Sequence, residues 1–186
     1  AAAGDGNVEC TSCGVYRNVV AGELRLGLLP TPVSTVDIVE FYHAGFDHYF
    51  VSADPNEIHA LDTGFFAGWS RTGQQFKAYA AGSSAGKTVN PVCRFYGLPA
   101  YGLDSHFYTA SALECRDVNA NFSPEWQIES GNVFQIDLPD SATGACPGGK
   151  IPVYRVFNRR PDANHRYTTS AVVRAQMEAA GWIREG

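Results

Sequence analysis

The sequence predicts a β-rich α+β domain in which three strand-strand-helix-strand units pack with pseudo-threefold symmetry. One observation is compositional: aromatic residues make up 12% of the chain and charged residues only 18%, which suits half-buried strands better than solvated helix faces. The other is a regular recurrence of histidines and tryptophans. The intervals are 58 and 59 residues for His48, His106 and His165, and 57 and 56 residues for Trp69, Trp126 and Trp182.

The recurrence divides the chain into an N-terminal segment and one domain of three copies. The segment is 1–35 and the domain is 36–186, which contains copy 1 (36–82), copy 2 (90–139) and copy 3 (150–186). A unit of this kind has one apolar face that it cannot bury alone, so the three copies are expected to share a core. The linkers between copies are rich in Gly, Ser and Ala and are predicted to be loops.

Each copy opens with two β-prone runs that predict a hairpin. The first runs are 39–42, 93–96 and 154–157, and the second runs, which carry a histidine and aromatic residues, are 48–52, 106–109 and 165–169.

A helix is predicted after each hairpin, ending near 63, 120 and 180. Asp54 and Ser111 are N-cap residues, and Glu57 and Glu114 lie three residues later. We expect these glutamates to bond back to the cap, as in a capping box. Copy 3 starts its helix at Ser170 but lacks the glutamate.

A final strand is expected after the glycine that follows each tryptophan, at 76–79 in copy 1 and 133–136 in copy 2. Copy 3 stops at Gly186, before that strand. Two explanations stay open: the chain is truncated, or the N-terminal segment, through 19–29, supplies a closing strand.

Charge and hydropathy exclude two classes of partner. The net charge is −5 and no stretch forms a basic stripe, so nucleic acid is not expected. The longest apolar runs, such as 24–30, are far shorter than the ~20 residues that cross a bilayer. The small, polar start at 1–7 is typical of what signal cleavage leaves behind, which favours a secreted protein. Nothing indicates an oligomeric state.

Cys93 and Cys115 are predicted to form a disulfide. Their slots in copy 1 hold Val39 and Ile58, apolar residues expected on facing sides of hairpin and helix, so a crosslink replaces a core contact. Such a bridge contributes roughly 3 kcal/mol by constraining the unfolded chain.

The other cysteines do not have zinc-site spacing. Cys10 and Cys13 form a short local disulfide, or are unrelated thiols, or, as the least favoured reading, are a redox pair. The odd count leaves Cys146 as the candidate without a partner.

Three readings of the recurring histidines stay open. They form a symmetric zinc site, or line one ligand pocket per copy, or anchor each hairpin by bonding to backbone or to the glutamate after the tryptophan; the last is favoured. In copy 1, Tyr49 occupies the slot of His106, which shifts His48 to the opposite strand face.

The sequence nominates ligand-binding side chains but no catalytic residue, metal site or cofactor. Glu129 and Glu185 follow the tryptophans, yet nothing indicates a pair of carboxylates converging on one cleft. The tryptophans are expected to pack in the core. The ligand-binding candidates are His48, Tyr49, His106, Tyr108, His165, Tyr167, Tyr42 and Tyr96.

The combined motif resembles an uncharacterised tandem-repeat family of secreted bacterial and fungal proteins. It is carried by 154–158, 165–169 and 181–186, with 94–96 and 106–109 in copy 2. The resemblance implies an extracellular setting and an accessory role beside secreted hydrolases.

We therefore expect a secreted, non-catalytic, lectin-like binding module for carbohydrate or a cell-surface ligand, with weak repeated sites. The alternatives are a structural or protein-interaction appendage of a larger secreted enzyme and, last, a metal-dependent enzyme.

Overall fold

The computed structural model describes residues 33–83 and 89–186. All of them belong to one compact unit, Thr31–Gly186. The expected closing strand at 19–29 and the Cys10 and Cys13 pair lie outside the described residues.

Eleven strands and three helices occur in the described part of the chain. Copy 1 holds β1 (Thr35–His43), β2 (His48–Ser52), α1 (Pro55–Asp62) and β3 (Trp69–Tyr79). Copy 2 and the residue before it hold β4 (Val89–Pro91), β5 (Cys93–Gly97), a 3-10 turn (Pro99–Tyr101), β6 (Ser105–Thr109), α2 (Ala112–Asn121), β7 (Trp126–Ser130) and β8 (Gln135–Asp137). Copy 3 holds β9 (Tyr154–Phe157), β10 (His165–Thr168), α3 (Ala171–Ala179) and β11 (Ile183–Arg184).

The strands form three antiparallel sheets. Copies 2 and 3 have the orders β6-β5-β7 and β10-β9-β11, so the first hairpin strand lies in the middle. Copy 1 has the same core, extended to β2-β1-β3-β8-β4. The β-rich α+β class predicted from the sequence is confirmed, and the element order strand-strand-helix-strand occurs in each copy.

The position of the third strand differs from the prediction. It begins at Trp69 and Trp126 rather than after the next glycine, and copy 3 has it as β11. A glycine in left-handed conformation just before the tryptophan, Gly68 with φ 89° or Gly181 with φ 95°, turns the chain back onto the hairpin. At Gly68 the approach is so close that a Cβ would lie 2.1 Å from His43 Nε2.

The segment predicted as the last strand of copy 2 has a different role. Its strand, β8, pairs with β3 of copy 1 and with β4. β4 itself lies at a position predicted to be loop. Backbone hydrogen bonding therefore joins copies 1 and 2 directly.

The helix caps form as predicted, but the glutamates do not complete a capping box. The Asp54 side chain accepts from the N–H groups of Asn56 and Glu57, and Ser111 accepts from Glu114. The Glu57 and Glu114 carboxylates instead bind arginines of the following copy. A charge-assisted bond to guanidinium is stronger than a bond to a neutral N–H.

The predicted disulfide between Cys93 and Cys115 is present and ties β5 to α2. Val39 and Ile58 pack in the core at the corresponding places of copy 1. Cys146 pairs with no cysteine of the described residues. None of the three described helices is both long and apolar enough to span a membrane.

Candidate functional site

Strand register shows which side chains correspond between copies. One facing pair occupies the same place in each hairpin: Tyr42 with Tyr49, Tyr96 with His106, and Phe157 with His165. Tyr49 rather than His48 therefore corresponds to the other two histidines, as the sequence indicated. The three nominated histidines do not form an equivalent set.

His48 lies in the interior, where it joins loops of the other two copies. Its side chain is 2% exposed, with Nδ1 3.0 Å from the Asp104 carbonyl and Nε2 3.2 Å from Asp162 Oδ2. The residues at the same register in copies 2 and 3 are Ser105 and Asn164, both buried, and the Asn164 amide donates to the Ser105 hydroxyl. These contacts hold the His48 ring between the loops of copies 2 and 3.

His106 and His165 each lie beside the glutamate that follows the tryptophan. The Nε2 to Oε2 distances are 3.5 Å for His106 and Glu129 and 3.3 Å for His165 and Glu185. His106 also stacks on Tyr96, with ring centroids 5.0 Å apart. Burial, followed by the charge of Arg94, lowers the pKa of His106 to about 3, so this imidazole is neutral.

Arginines connect each copy to its neighbour. Arg94 Nη1 donates to Glu57 Oε2 at 2.9 Å, and Arg94 Nε lies 2.7 Å from Glu129 Oε2. Arg155 makes a bidentate pair with Glu114 at 2.8 and 2.9 Å. The Arg94 guanidinium thus holds carboxylates from copy 1 and copy 2 side by side.

Tyr108 and Tyr167 make similar links through their hydroxyls. The Tyr108 hydroxyl donates to the Val51 carbonyl at 2.6 Å, and the Tyr167 hydroxyl donates to the Tyr108 carbonyl at 2.9 Å. Burial raises the pKa of Tyr108, which keeps the hydroxyl available as a donor. Both nominated tyrosines therefore bond to the backbone of the neighbouring copy.

Tyr42 and Tyr49 pack on each other at the copy 1 hairpin, with ring centroids 4.8 Å apart. The Arg166 guanidinium lies 4.0 Å over the Tyr49 ring, and Trp182 meets the same ring edge-on at 5.8 Å. Tyr49 is thus part of the junction between copies 3 and 1.

A cavity of about 340 Å³ lies between copies 1 and 2. We call it the 1–2 cavity. It is open on one side and combines aromatic rings with acidic groups. Its lining residues are Phe50, Glu57, Leu61, Phe66, Trp69, Tyr96, Asp104, His106 and Glu129.

Hydrogen bonds fix the polar groups of the 1–2 cavity. The Tyr96 hydroxyl donates to Asp104 Oδ1 at 2.7 Å, and burial together with this carboxylate raises the pKa of Tyr96 to about 12. Asp104 has a positive φ of 43°, which aspartate tolerates better than most residues. Burial raises the pKa of Glu129, against the opposing effect of Arg94.

Sequence reasoning found part of this site. Tyr96 and His106 were nominated and line the cavity, whereas the convergence of Glu57, Asp104 and Glu129 was not expected. The recurrence of Glu57 as Glu114 indicates a shared role, but its spacing from Asp54 predicts a helix-cap contact and not a place in the cavity. Trp69 packs against the main core cluster, as expected, and because it is only partly buried it also forms a cavity wall.

Among residues 33–83 and 89–186, no three His, Cys, Asp or Glu side chains come together in a way that could hold a metal ion.

A family model described as "Domain of unknown function (DUF5648)" matches residues 26–136, which is more than half of the chain. The chain belongs to the DUF5648 family. The DUF5648 match contains copy 1 and most of copy 2, and it includes every residue that lines the 1–2 cavity. No curated protein and no solved structure matches the chain significantly.

Proposed function

We propose that this chain is a secreted, non-catalytic carbohydrate-binding module and that the 1–2 cavity is its principal site. The observation that carries the proposal is the combination of one exposed ring, Phe66, and two partly buried rings, Trp69 and Tyr96, with carboxylates in one open cavity. Sugar rings present C–H groups on their faces and hydroxyls at their edges, which are complementary to aromatic walls and to carboxylate acceptors respectively.

The cavity size supports a small segment of glycan as the ligand. A volume of about 340 Å³ lies at the lower end of the range of ligand pockets and suits one or two sugar rings. The opening allows the rest of a chain to extend into solvent. Weak binding at such a site gains strength through avidity on a polyvalent surface, which fits an accessory module of a larger secreted protein.

The polar groups are arranged for binding rather than bond cleavage. Glycoside hydrolysis needs two carboxyl groups in distinct environments, one acting as an acid and the other as a base or nucleophile. Glu57 and Glu129 are instead held by one guanidinium, that of Arg94. This shared cation offsets the repulsion between the two carboxylates and supports an acceptor role for each.

The proposal includes a pseudo-threefold arrangement of the copies. Links run from copy 1 to copy 2 through Glu57 and Arg94, and from copy 2 to copy 3 through Glu114 and Arg155. From copy 3 to copy 1 the link is Arg166 with Glu40, at 2.8 Å.

A change of sign at the last link accompanies the missing glutamate of copy 3. Glu40 occupies the register position of Arg94 and Arg155. A glutamate at the place of Val173 would therefore face a carboxylate instead of a guanidinium. These cyclic contacts support a closed ring of three copies.

The experiment is titration of the folded protein with short oligosaccharides, comparing Phe66→Ala with Phe122→Ala. Phe66 lines the cavity and is 46% exposed, while Phe122 is 52% exposed and lies elsewhere. We expect Phe66→Ala to weaken binding about tenfold, as loss of a stacked ring costs 1–2 kcal/mol, and Phe122→Ala to leave it unchanged. Equal effects of both variants, or absence of binding to a broad glycan array, would overturn the proposal.

A structural appendage is the second candidate. It is favoured by one observation: His48, Tyr108 and Tyr167, all nominated as ligand-binding, bond to neighbouring copies. Absence of binding to a glycan array, together with retained binding to a partner protein, would support this second candidate.

A further inference from the structure

The charges around the 1–2 cavity have one predominant sign. Among the described residues that line it, three carry carboxylates, Glu57, Asp104 and Glu129, and none is a lysine or arginine. Arg94 lies behind the two glutamates, 2.9 Å and 2.7 Å from their oxygens, and is not part of the lining. It offsets about one of the three negative charges, so the cavity surface remains negative.

His106 does not supply a positive charge to the cavity. His106 is buried beside Phe50, Tyr96 and Glu129, and burial lowers its pKa to about 3. The Tyr96 hydroxyl is un-ionised and is already engaged by Asp104. The lining therefore offers acceptors and negative charge, and it has no cation with which to hold an anionic ligand.

The aromatic walls add to the preference for positive charge. The faces of aromatic rings attract ammonium groups, and aromatic walls next to carboxylates are the recurring solution for binding organic cations. Trp69, Phe66 and Tyr96 provide such walls within the same cavity as the carboxylates.

Resting on the proposed sugar site, we infer that the 1–2 cavity selects a sugar bearing a protonated amino group, of the 2-amino-2-deoxy class, over neutral and acidic sugars. The ammonium group binds at the carboxylates and the ring packs on the aromatic walls. An N-acetylated sugar loses the charge, and a uronic acid reverses it.

The test compares three probes by calorimetry with the folded full chain: tetramers of β-1,4-linked glucosamine, of N-acetylglucosamine and of galacturonic acid. The buffer is mildly acidic and low in salt, so that the amine is protonated and screening is weak. We expect the glucosamine tetramer to bind at least about tenfold more tightly than the N-acetylated one, with no binding of the galacturonate.

Asp104→Asn and Asp47→Asn form a matched pair of variants. Both aspartates have a positive φ, 43° and 55°, and both accept from a tyrosine hydroxyl, that of Tyr96 or Tyr42. Asparagine keeps the conformation and the acceptor. Only Asp104 lines the cavity.

Asp104→Asn should lower the preference for glucosamine over N-acetylglucosamine several-fold, and Asp47→Asn should leave it intact. If both variants lowered it equally, the preference would reflect general attraction to an acidic protein, and the inference would be wrong. Equal affinity for the two tetramers, or tighter binding of galacturonate, would also overturn it while leaving the sugar site standing. Absence of binding to all three probes, together with absence of binding to a glycan array, would contradict both this inference and the proposed sugar site.

Discussion

At the scale of single residues, the same strand position is used differently in the three copies. Tyr49, His106 and His165 share a register, yet only His106 lines the 1–2 cavity. His165 meets Phe107 of copy 2 edge-on, with ring centroids 4.9 Å apart, and Tyr49 lies under Arg166 of copy 3. The neighbours supplied by the adjacent copy determine what each side chain does.

The low pKa of His106 predicts a pH dependence of stability. Its folded pKa, about 3, lies below its ordinary value of 6.5, so below about pH 6.5 the unfolded chain binds a proton that the folded chain does not. The contribution of the neutral His106 imidazole to stability is complete above about pH 6.5 and is lost as the pH falls towards 3. Between about pH 7 and pH 5 we expect a loss of about 2 kcal/mol relative to His106→Gln.

The measurement is urea unfolding of wild type and His106→Gln at a series of pH values. Using the difference between the two proteins removes the contribution of carboxylates that titrate in both. Parallel stability curves across this range would show that the imidazole titrates normally in the folded state.

At the scale of elements, each hairpin is tied to its helix by a recurring hydroxyl. Ser52, Thr109 and Thr168 accept from the backbone N–H two residues later, at 3.1, 3.0 and 3.1 Å. These turns place the N-cap residue two residues after the last residue of the strand. Copy 2 adds a covalent tie between strand and helix, and copy 1 relies on apolar contact at the same place.

Removing the covalent tie should destabilise the protein by about 3 kcal/mol, because the bridge closes a loop with a sequence separation of 22 residues. The variant is Cys93→Ala/Cys115→Ala, followed by urea unfolding. Cys146→Ala is the control and should change the free energy of unfolding by less than about 0.5 kcal/mol. A double variant as stable as wild type would mean that core contacts alone hold α2 on β5.

At the scale of the whole molecule, the three copies share an apolar core and are joined around it by charged pairs. The main core cluster includes Phe41 and Val51 of copy 1 and Tyr108 of copy 2, with Tyr167 of copy 3 packed against it. Around this core, charged pairs connect the copies, and the pair of Arg166 with Glu40 is the most deeply buried. The molecule is therefore expected to unfold as one unit.

Breaking the buried pair of Glu40 and Arg166 should lower the free energy of unfolding far more than breaking an exposed pair. Glu40→Leu leaves the Arg166 guanidinium without a charge partner and is expected to lower stability by about 3–5 kcal/mol, whereas Glu40→Leu/Arg166→Met should restore much of it. Asp37→Asn, at the exposed pair with Lys77, should cost less than about 1 kcal/mol. Unfolding is followed by tryptophan fluorescence and by circular dichroism, and we expect the two transitions to coincide. Separate transitions would show that the copies are independent.

Features that depend on nearby residues are predictable from the amino-acid sequence. The hairpin runs, the N-cap residues Asp54, Ser111 and Ser170, the shifted slot of His48 and the bridge between Cys93 and Cys115 all follow from spacing, side-chain alternation and capping chemistry. Each is fixed within one copy, over a few tens of residues, and for that reason could be read from the chain.

The partners that meet across the copies are visible once the chain is folded, and their pairing cannot be predicted from local sequence. Glu57 had an adequate local partner in its own helix cap, and nothing in the sequence showed that Arg94 of the next copy would be brought to it. The 1–2 cavity depends on the same packing, because Trp69 and Glu57 come from one copy and Tyr96 and Glu129 from the next. Contacts between segments far apart in sequence depend on how folded units dock, and that docking sets which charges and rings share a surface.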